Sequence, residues 1–391
     1  VSRQVLWLLS TCCFASMASM RVCDSLVPAV QTTFAVAMGH AAQSISAFAL
    51  AYGVMQLVFG PLGDRFGKTR VIAIATLACT VGNLGAALSG TMGQLVAARV
   101  LSGAAAAGIV PLTMAWIGDT VAYERRQEIL ARLLGATVFG MIAGQWFGAL
   151  LADAFNWRVP FAALAAVCLV AGLLVLREGS DSGGQHAAQQ PPSRSAHRAL
   201  EVLSVPWART VLLVTFIEGA FAFSALSFIP IYLHTAFDIA MSKAGGIVAM
   251  YGIGGLSYSR GARLLVRRLG EVNLARLGGV CLATAYGTLA LLTNWWLALP
   301  ACFLAGFGFY ALHNTLQTHA TQMAPNMRGT AVSLFSCFLF FGQSLGVFCA
   351  AWLIDRFTAP PVFAGSAAGL LAIAAAFSWL ISRKSARLGL T

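Results

Sequence analysis

The sequence predicts an all-α integral membrane protein of twelve spans, and three observations carry that reading. Of 391 residues, 59% are hydrophobic and only 10% charged, where ordinary soluble domains carry about 25% charged residues. Mean hydropathy is +0.78. Apolar runs of about 20 residues, the length at which a helix crosses a bilayer, recur along the whole chain. Nothing alternates with the period of a barrel strand, so helices are the form that satisfies the backbone in hydrocarbon.

In chain order the runs cover residues 5–27, 44–62, 69–89, 92–118, 129–152, 158–176, 208–233, 243–260, 272–293, 296–323, 330–353 and 361–382. Arg3 ahead of the first run gives it the outline of a signal peptide. It is read as span one, because its removal leaves an odd number of spans. Nine cysteines (Cys12, Cys13, Cys23, Cys79, Cys168, Cys281, Cys302, Cys337 and Cys349) fall inside spans with no metal-type spacing, and read as small apolar fillers.

Lysine and arginine fix the orientation. Segments on the side of the amino terminus collect most of them, including Arg65, Lys68, Arg70, Arg125, Arg126, Arg260, Arg263, Arg267 and Arg268. The other side holds Arg158, Lys243 and Arg356. By the positive-inside rule both termini are expected in the cytoplasm, in a plasma membrane of the bacterial inner-membrane kind. The net charge of +12 does not point to nucleic acid, because the basic residues are parcelled among loops instead of gathered on one patch.

Between Glu178 and Val205 the composition turns to Gly, Ser, Gln and Pro, which cannot bury itself, so residues 178–206 are expected to be a flexible cytoplasmic linker. It separates an amino-terminal six-helix bundle, 1–177, from a carboxy-terminal one, 207–391. The halves look like weak copies. Gly144-Gln145-x-x-Gly148 recurs as Gly342-Gln343-x-x-Gly346 at an offset of 198 (144 to 342), Pro28 recurs as Pro230 at 202, and Arg65-Phe66-Gly67 as Arg268-Leu269-Gly270 at 203.

The stretch Gly60-Pro61-Leu62-Gly63-Asp64-Arg65-Phe66-Gly67-Lys68-Thr69-Arg70 is a glycine- and charge-rich turn between two long apolar runs. Its Gly-x-Leu-x-Asp-Arg-x-Gly-Lys-x-Arg pattern resembles the signature loop between helices two and three of the major facilitator superfamily. Arg99-Val100-Leu101-Ser102-Gly103 followed by Gly108 resembles the family's span-four motif, whose arginine is tied to proton coupling in the drug antiporter branch. Gly135, Gly140, Gly144 and Gly148 resemble the glycine-rich fifth span of drug:proton antiporters, with Gln145 where that pattern has proline. The resemblance covers nearly the whole chain and is nearest the drug:proton antiporter or sugar-efflux branch. It implies two pseudo-symmetric six-helix bundles, each internally inverted, with the substrate site between halves near the midplane.

Ionisable residues within spans are costly and mark function. They are Arg21, Asp24, Arg99 and Glu218. Arg21 and Asp24 are three apart and share a helix face. The family architecture implies that Arg99 comes within reach of Asp24, giving a carboxyl group poised to exchange protons or, alternatively, a permanently ionised structural pair. Glu218 has no basic residue nearby on its own helix, and reads as an unpaired acid serving as a second proton carrier or as the counter-charge of a cationic solute, or alternatively as an acid hydrogen-bonded to a neighbouring helix. His313, Asn314 and Gln317 make a polar stripe on span ten, suited to a cavity wall or to helix–helix glue. Tyr52 and Gln56, four apart on span two, are further cavity-wall candidates. At the inner ends, Gly60, Asp64, Arg65, Gly67, Arg70 and Asp119 form the expected gating set. The resemblance makes Asp64 a latch toward the amino end of span eleven, and Asp119 is positioned to pair with Arg65 or Arg70.

The resulting expectation is alternating-access transport, with export of a small organic solute or drug in exchange for protons. A proton-coupled uptake symporter for a small metabolite is the alternative. The partners are a small-molecule substrate, protons and the lipid bilayer, and a monomer suffices. No Gly-x-x-x-x-Gly-Lys-Ser/Thr loop is present, so no cofactor is expected and the proton gradient is the energy source. No nucleophile or metal constellation points to an enzyme.

Overall fold

The computed structural model describes residues 3–179 and 193–387, and all regular structure among them is helical. The chain divides into two compact units, with the boundary between Leu200 and Glu201.

Span one of the first unit is α1 (Arg3–Arg21), a 3-10 turn over Val22–Ser25, and α2 (Val27–Phe34). The break has a local cause. Pro28 lacks the N–H that would bond the carbonyl four residues back, at Asp24. Span two is α3 (Met38–Ala41) with α4 (Gln43–Phe66), span three is α5 (Lys68–Ala87), and span four is α6 (Met92–Ala106) with α7 (Ile109–Thr120). Thr91 caps α6 by accepting from the Gln94 N–H at 3.3 Å. Spans five and six are α8 (Tyr123–Ala154) and α9 (Val159–Gly179).

The turn expected over residues 60–70 is helical except for Gly67. Continuing the helix satisfies the backbone of Gly60 to Phe66, and the whole reversal is concentrated at Gly67, with φ of 87°, where a side chain would be strained.

Next come α10 (Ser193–Ser204), α11 (Pro206–Phe237), α12 (Met241–Ala290), α13 (Ala298–Gln322), α14 (Arg328–Arg356) and α15 (Pro360–Arg387). Among the described residues ten helical segments are long and apolar enough to cross a membrane. The expected spans eight and nine are the two arms of α12, which turns at Gly270 with φ of 68°. Gly67 and Gly270 are therefore the same hinge at an offset of 203.

The expected linker needs correcting. Residues 180–192 lie outside the described residues, but Ser193–Ser204 is a helix. Ala196, Ala199, Leu200 and Leu203 fall at helical spacing, a periodicity that composition alone conceals.

Both units pair their helices alike. In the first, α1 packs on α8, α4 on α6 and α5 on α9; in the second, α11 packs on α14 and α12 on both α13 and α15. A Cβ at Gly144 would meet the Ala18 carbonyl and one at Gly148 would meet Val22, while one at Gly342 would meet the Phe216 carbonyl and one at Gly346 the Ala220 carbonyl. The partners are themselves 198 apart (18 to 216, 22 to 220). Likewise Gly103 seats against Phe48 and Gly306 against Tyr251, at 203 for both members (103 to 306, 48 to 251). Small residues that let backbones touch are how helices associate where lipid removes the hydrophobic drive. The Pro28/Pro230 match is weaker, because Pro230 lies inside an unbroken α11.

Candidate functional site

In the first unit, the break in span one puts Asp24 in the 3-10 turn, where its Oδ2 lies 2.9 Å from Arg21 Nη1, both side chains buried. Arg99 is fully buried on α6. Its Nε donates to the Ser44 carbonyl at 3.0 Å and its Nη1 to the Ser19 carbonyl at 2.8 Å. The guanidinium lies over the Phe48 ring at 4.3 Å and near Phe161 at 5.8 Å. One side chain thus stitches span four to spans one, two and six. Asp24 also acts on Arg99 electrostatically, so the structure brings these three ionic residues into one neighbourhood.

The sequence reading overlooks Asn83, a lone amide in the part of the third span, beyond Arg70, that carries no charge. It is fully buried and donates to Ser19 Oγ and the Cys79 carbonyl, each at 3.0 Å. Gln56 donates to the Ala107 carbonyl at 3.1 Å, at the break in span four, and the Tyr52 ring stacks on Phe48 at 6.0 Å. Both of these expected cavity-wall residues are buried and make their contacts inside the bundle.

At one end of this unit Lys68 Nζ is 2.7 Å from Asp119 Oδ2 and 3.3 Å from Asp64 Oδ1. Asp119 therefore pairs with Lys68, where the sequence reading expects Arg65 or Arg70. The reversal at Gly67 explains the choice. It sets Lys68 in the first turn of α5 against the end of α7, while the Arg65 guanidinium rests on the Phe66 ring at 5.0 Å and Arg70 is exposed. Of the remaining gating residues, Gly60 and Gly67 have open space where a Cβ would stand.

In the second unit Glu218 is fully buried on α11. Its Oε2 lies 2.9 Å from His313 Nδ1 on α13, so of the two sequence-based readings the hydrogen bond to a neighbouring helix is found and the unpaired acid is corrected. Its Oε1 has no hydrogen-bond partner among the described residues. The imidazole is stacked on Phe309 at 5.0 Å and 12° and faces Phe335 at 5.1 Å, so its rotation is fixed by rings on either side. The rest of the stripe divides: Asn314 lies beside the Tyr258 side chain, whereas Gln317 is exposed.

At one end of the second unit His319 Nε2 lies 3.2 Å from Glu271 Oε2, with Trp207 and Phe377 each 5.5 Å away, edge to face. Lys384 Nζ sits 4.3 Å over the Trp207 ring. Glu271 is 203 residues beyond Lys68, so the polar contact that ends spans three and four has a counterpart at the ends of spans nine and ten, with the carboxylate on the opposite member. The His319 hydrogen bond holds the Glu271 carboxyl below its ordinary 4.5, against partial burial, with the His319 and Lys384 charges adding to the effect. A depressed carboxyl contributes stability that is present above 4.5 and lost as pH falls through the native value. Glu271→Gln is therefore expected to flatten the acid-side fall in melting temperature, measured by thermal unfolding between about pH 6 and 3.

The family model of the Major Facilitator Superfamily matches residues 9–346. The chain is 23% identical over 351 residues to the uncharacterized MFS-type transporter YceJ of Bacillus subtilis (strain 168), covering 89% of this chain and 88% of that one. It is 24% identical over 341 residues to Multidrug resistance protein 1 of the same organism, covering 84% and 85%. The nucleoside transporter NupG shares the fold, with a TM-score of 0.77 at 15% identity over 96% of this chain and 99% of that one. With two helical units packed by the same repeat and this match over most of its length, the chain is a membrane transporter, not an enzyme, and belongs to the Major Facilitator Superfamily.

Proposed function

We propose that this transporter is proton-coupled and exports a small organic solute by alternating access, with the Glu218–His313 pair as the site where the proton is taken up and released. The observation that carries the proposal is a fully buried carboxyl group 2.9 Å from an imidazole in the body of a span. A net charge at such a place is costly. A carboxyl group beside an imidazole can gain or lose a proton, and either event changes both the charge of the pair and the attraction joining α11 to α13.

Asp24 has a different role in this reading. Bridged by Arg21 and close to Arg99, it secures the broken span one. Asp64, Asp119 and Lys68 act as the gate. The export direction is supported by the likeness to a multidrug resistance protein. The setting is a bacterial inner membrane with both termini cytoplasmic, and a monomer is the working unit.

The test is solute flux in sealed proteoliposomes across a panel of fluorescent or radiolabelled compounds, under pH gradients of either sign. Exchange against protons accumulates solute in an acidic lumen. Accumulation driven by an acidic exterior would make the protein an uptake symporter, and saturable flux indifferent to both gradients would remove proton coupling. Asp24→Asn is expected to lower the yield of folded protein while the molecules that fold keep a pH-driven flux; pH-independent flux in folded Asp24→Asn would return the coupling role to Asp24.

A further inference from the structure

An apolar groove of about 360 Å³ lies along the start of α11, lined by Leu203, Arg209, Leu212, Leu213, Phe216 and Phe338. Arg209 is its one charged residue. It is exposed and has no carboxylate partner among the described residues. From Arg209 to Phe216 the groove descends seven residues, about 10 Å at the rise of an α-helix. That is the depth over which a membrane passes from its phosphate layer into its acyl chains. Leu213 is 58% exposed and Leu200, one turn before Leu203, 65%, although Val202 between them is fully buried. Helix α10 is thus anchored, yet leaves Leu200 exposed beside the half-buried Ala199 and Leu203, with Glu201 off this apolar edge, which suits a helix lying in a membrane interface.

We propose that α10 and the first turns of α11 form a binding site for one anionic phospholipid, whose phosphate meets Arg209 and whose acyl chain fills the groove roofed by Leu203. Charge complementarity selects the occupant. The groove offers one cation and no anion, the amino end of a 32-residue helix adds the same sign, and basic pockets beside spanning helices take acidic headgroups. A zwitterionic lipid brings its own cation to the same rim and is held less well.

The test is native mass spectrometry of the full-length protein in detergent, offered phosphatidylglycerol and phosphatidylcholine of equal chain length together. The wild type is expected to retain phosphatidylglycerol about fivefold over phosphatidylcholine, because both phosphates accept from Arg209 and only choline sets a second cation against it, about the weight of one basic residue toward an anionic headgroup. In Arg209→Gln the ratio falls to about one, and Arg209→Lys keeps a preference for the anionic lipid. Leu203→Asp, which adds an opposing charge to the roof without touching Arg209, also loses the preference and serves if Arg209→Gln does not fold. A wild-type ratio near one, or a ratio unchanged in both variants, overturns the proposal. Displacement of phosphatidylglycerol by free glycerol phosphate would show a soluble anion site and overturn the lipid assignment.

Discussion

Glu218→Gln is expected to cut proton-driven solute flux by about 10²-fold or more, while pH-independent counterflow of the same solute continues. Glutamine keeps the length of the side chain and a carbonyl oxygen that still accepts from His313 Nδ1, so α11 and α13 remain joined. It removes the group that can gain and lose a proton. The decisive measurement pairs the two assays on one preparation: initial rates under an imposed pH gradient, and exchange at equal pH. Wild-type gradient-driven flux in Glu218→Gln would exclude Glu218 from coupling. His313→Asn serves as the companion, because it leaves a buried acid without its partner. Breaking such a pair costs about 3–5 kcal/mol, so this variant is expected to lose stability as well as coupling.

Gly342→Ala and Gly144→Ala are expected to destabilise by similar amounts, about 1–3 kcal/mol each, and leucine at either position to prevent folding. A Cβ at Gly342 meets the Phe216 carbonyl, and one at Gly144 the Ala18 carbonyl. The obstruction in both places is backbone, which cannot rotate aside as a side chain would, so the first and fifth helices of each unit must part. Gly287 supplies the control. It lies inside α12 with open space around its Cβ position, so alanine there gains about 1 kcal/mol of helix propensity and no collision. Thermal unfolding of the three alanine variants in one detergent checks the ranking. A Gly342→Ala protein as stable as Gly287→Ala would mean that the α11–α14 seat tolerates separation.

Much of this fold is legible in the sequence because hydrocarbon makes exceptions conspicuous. Four charged residues within apolar runs stand out at once, and offsets of 198 and 203 survive in glycines that have no freedom to drift. What the linear chain conceals is rotation about helix axes. Glu218 and His313 are 95 residues apart, and neither residue's neighbours in sequence reveal that they face each other. The same limit applies to Gln56, whose spacing from Tyr52 reads as a cavity wall until Ala107 on another span claims it. Asp119 had three basic candidates within six positions, and a single positive φ at Gly67 decides for Lys68. Helix α10 escapes a compositional reading because glutamine and proline just before it dominate the average, while its own pattern is periodic.

The two units also differ in how continuous their helices are. Spans two and three are joined by Gly67 alone and spans eight and nine by Gly270 alone, so neither hairpin has a connecting loop. In the first unit the neighbouring spans one and four are jointed, at Val22–Ser25 and at Ala107 and Gly108, whereas α11 and α13 in the second run without interruption. The breaks at Val22–Ser25 and at Ala107 and Gly108 are thus the places where helices of the first unit lose continuous backbone hydrogen bonding, which α11 and α13 keep.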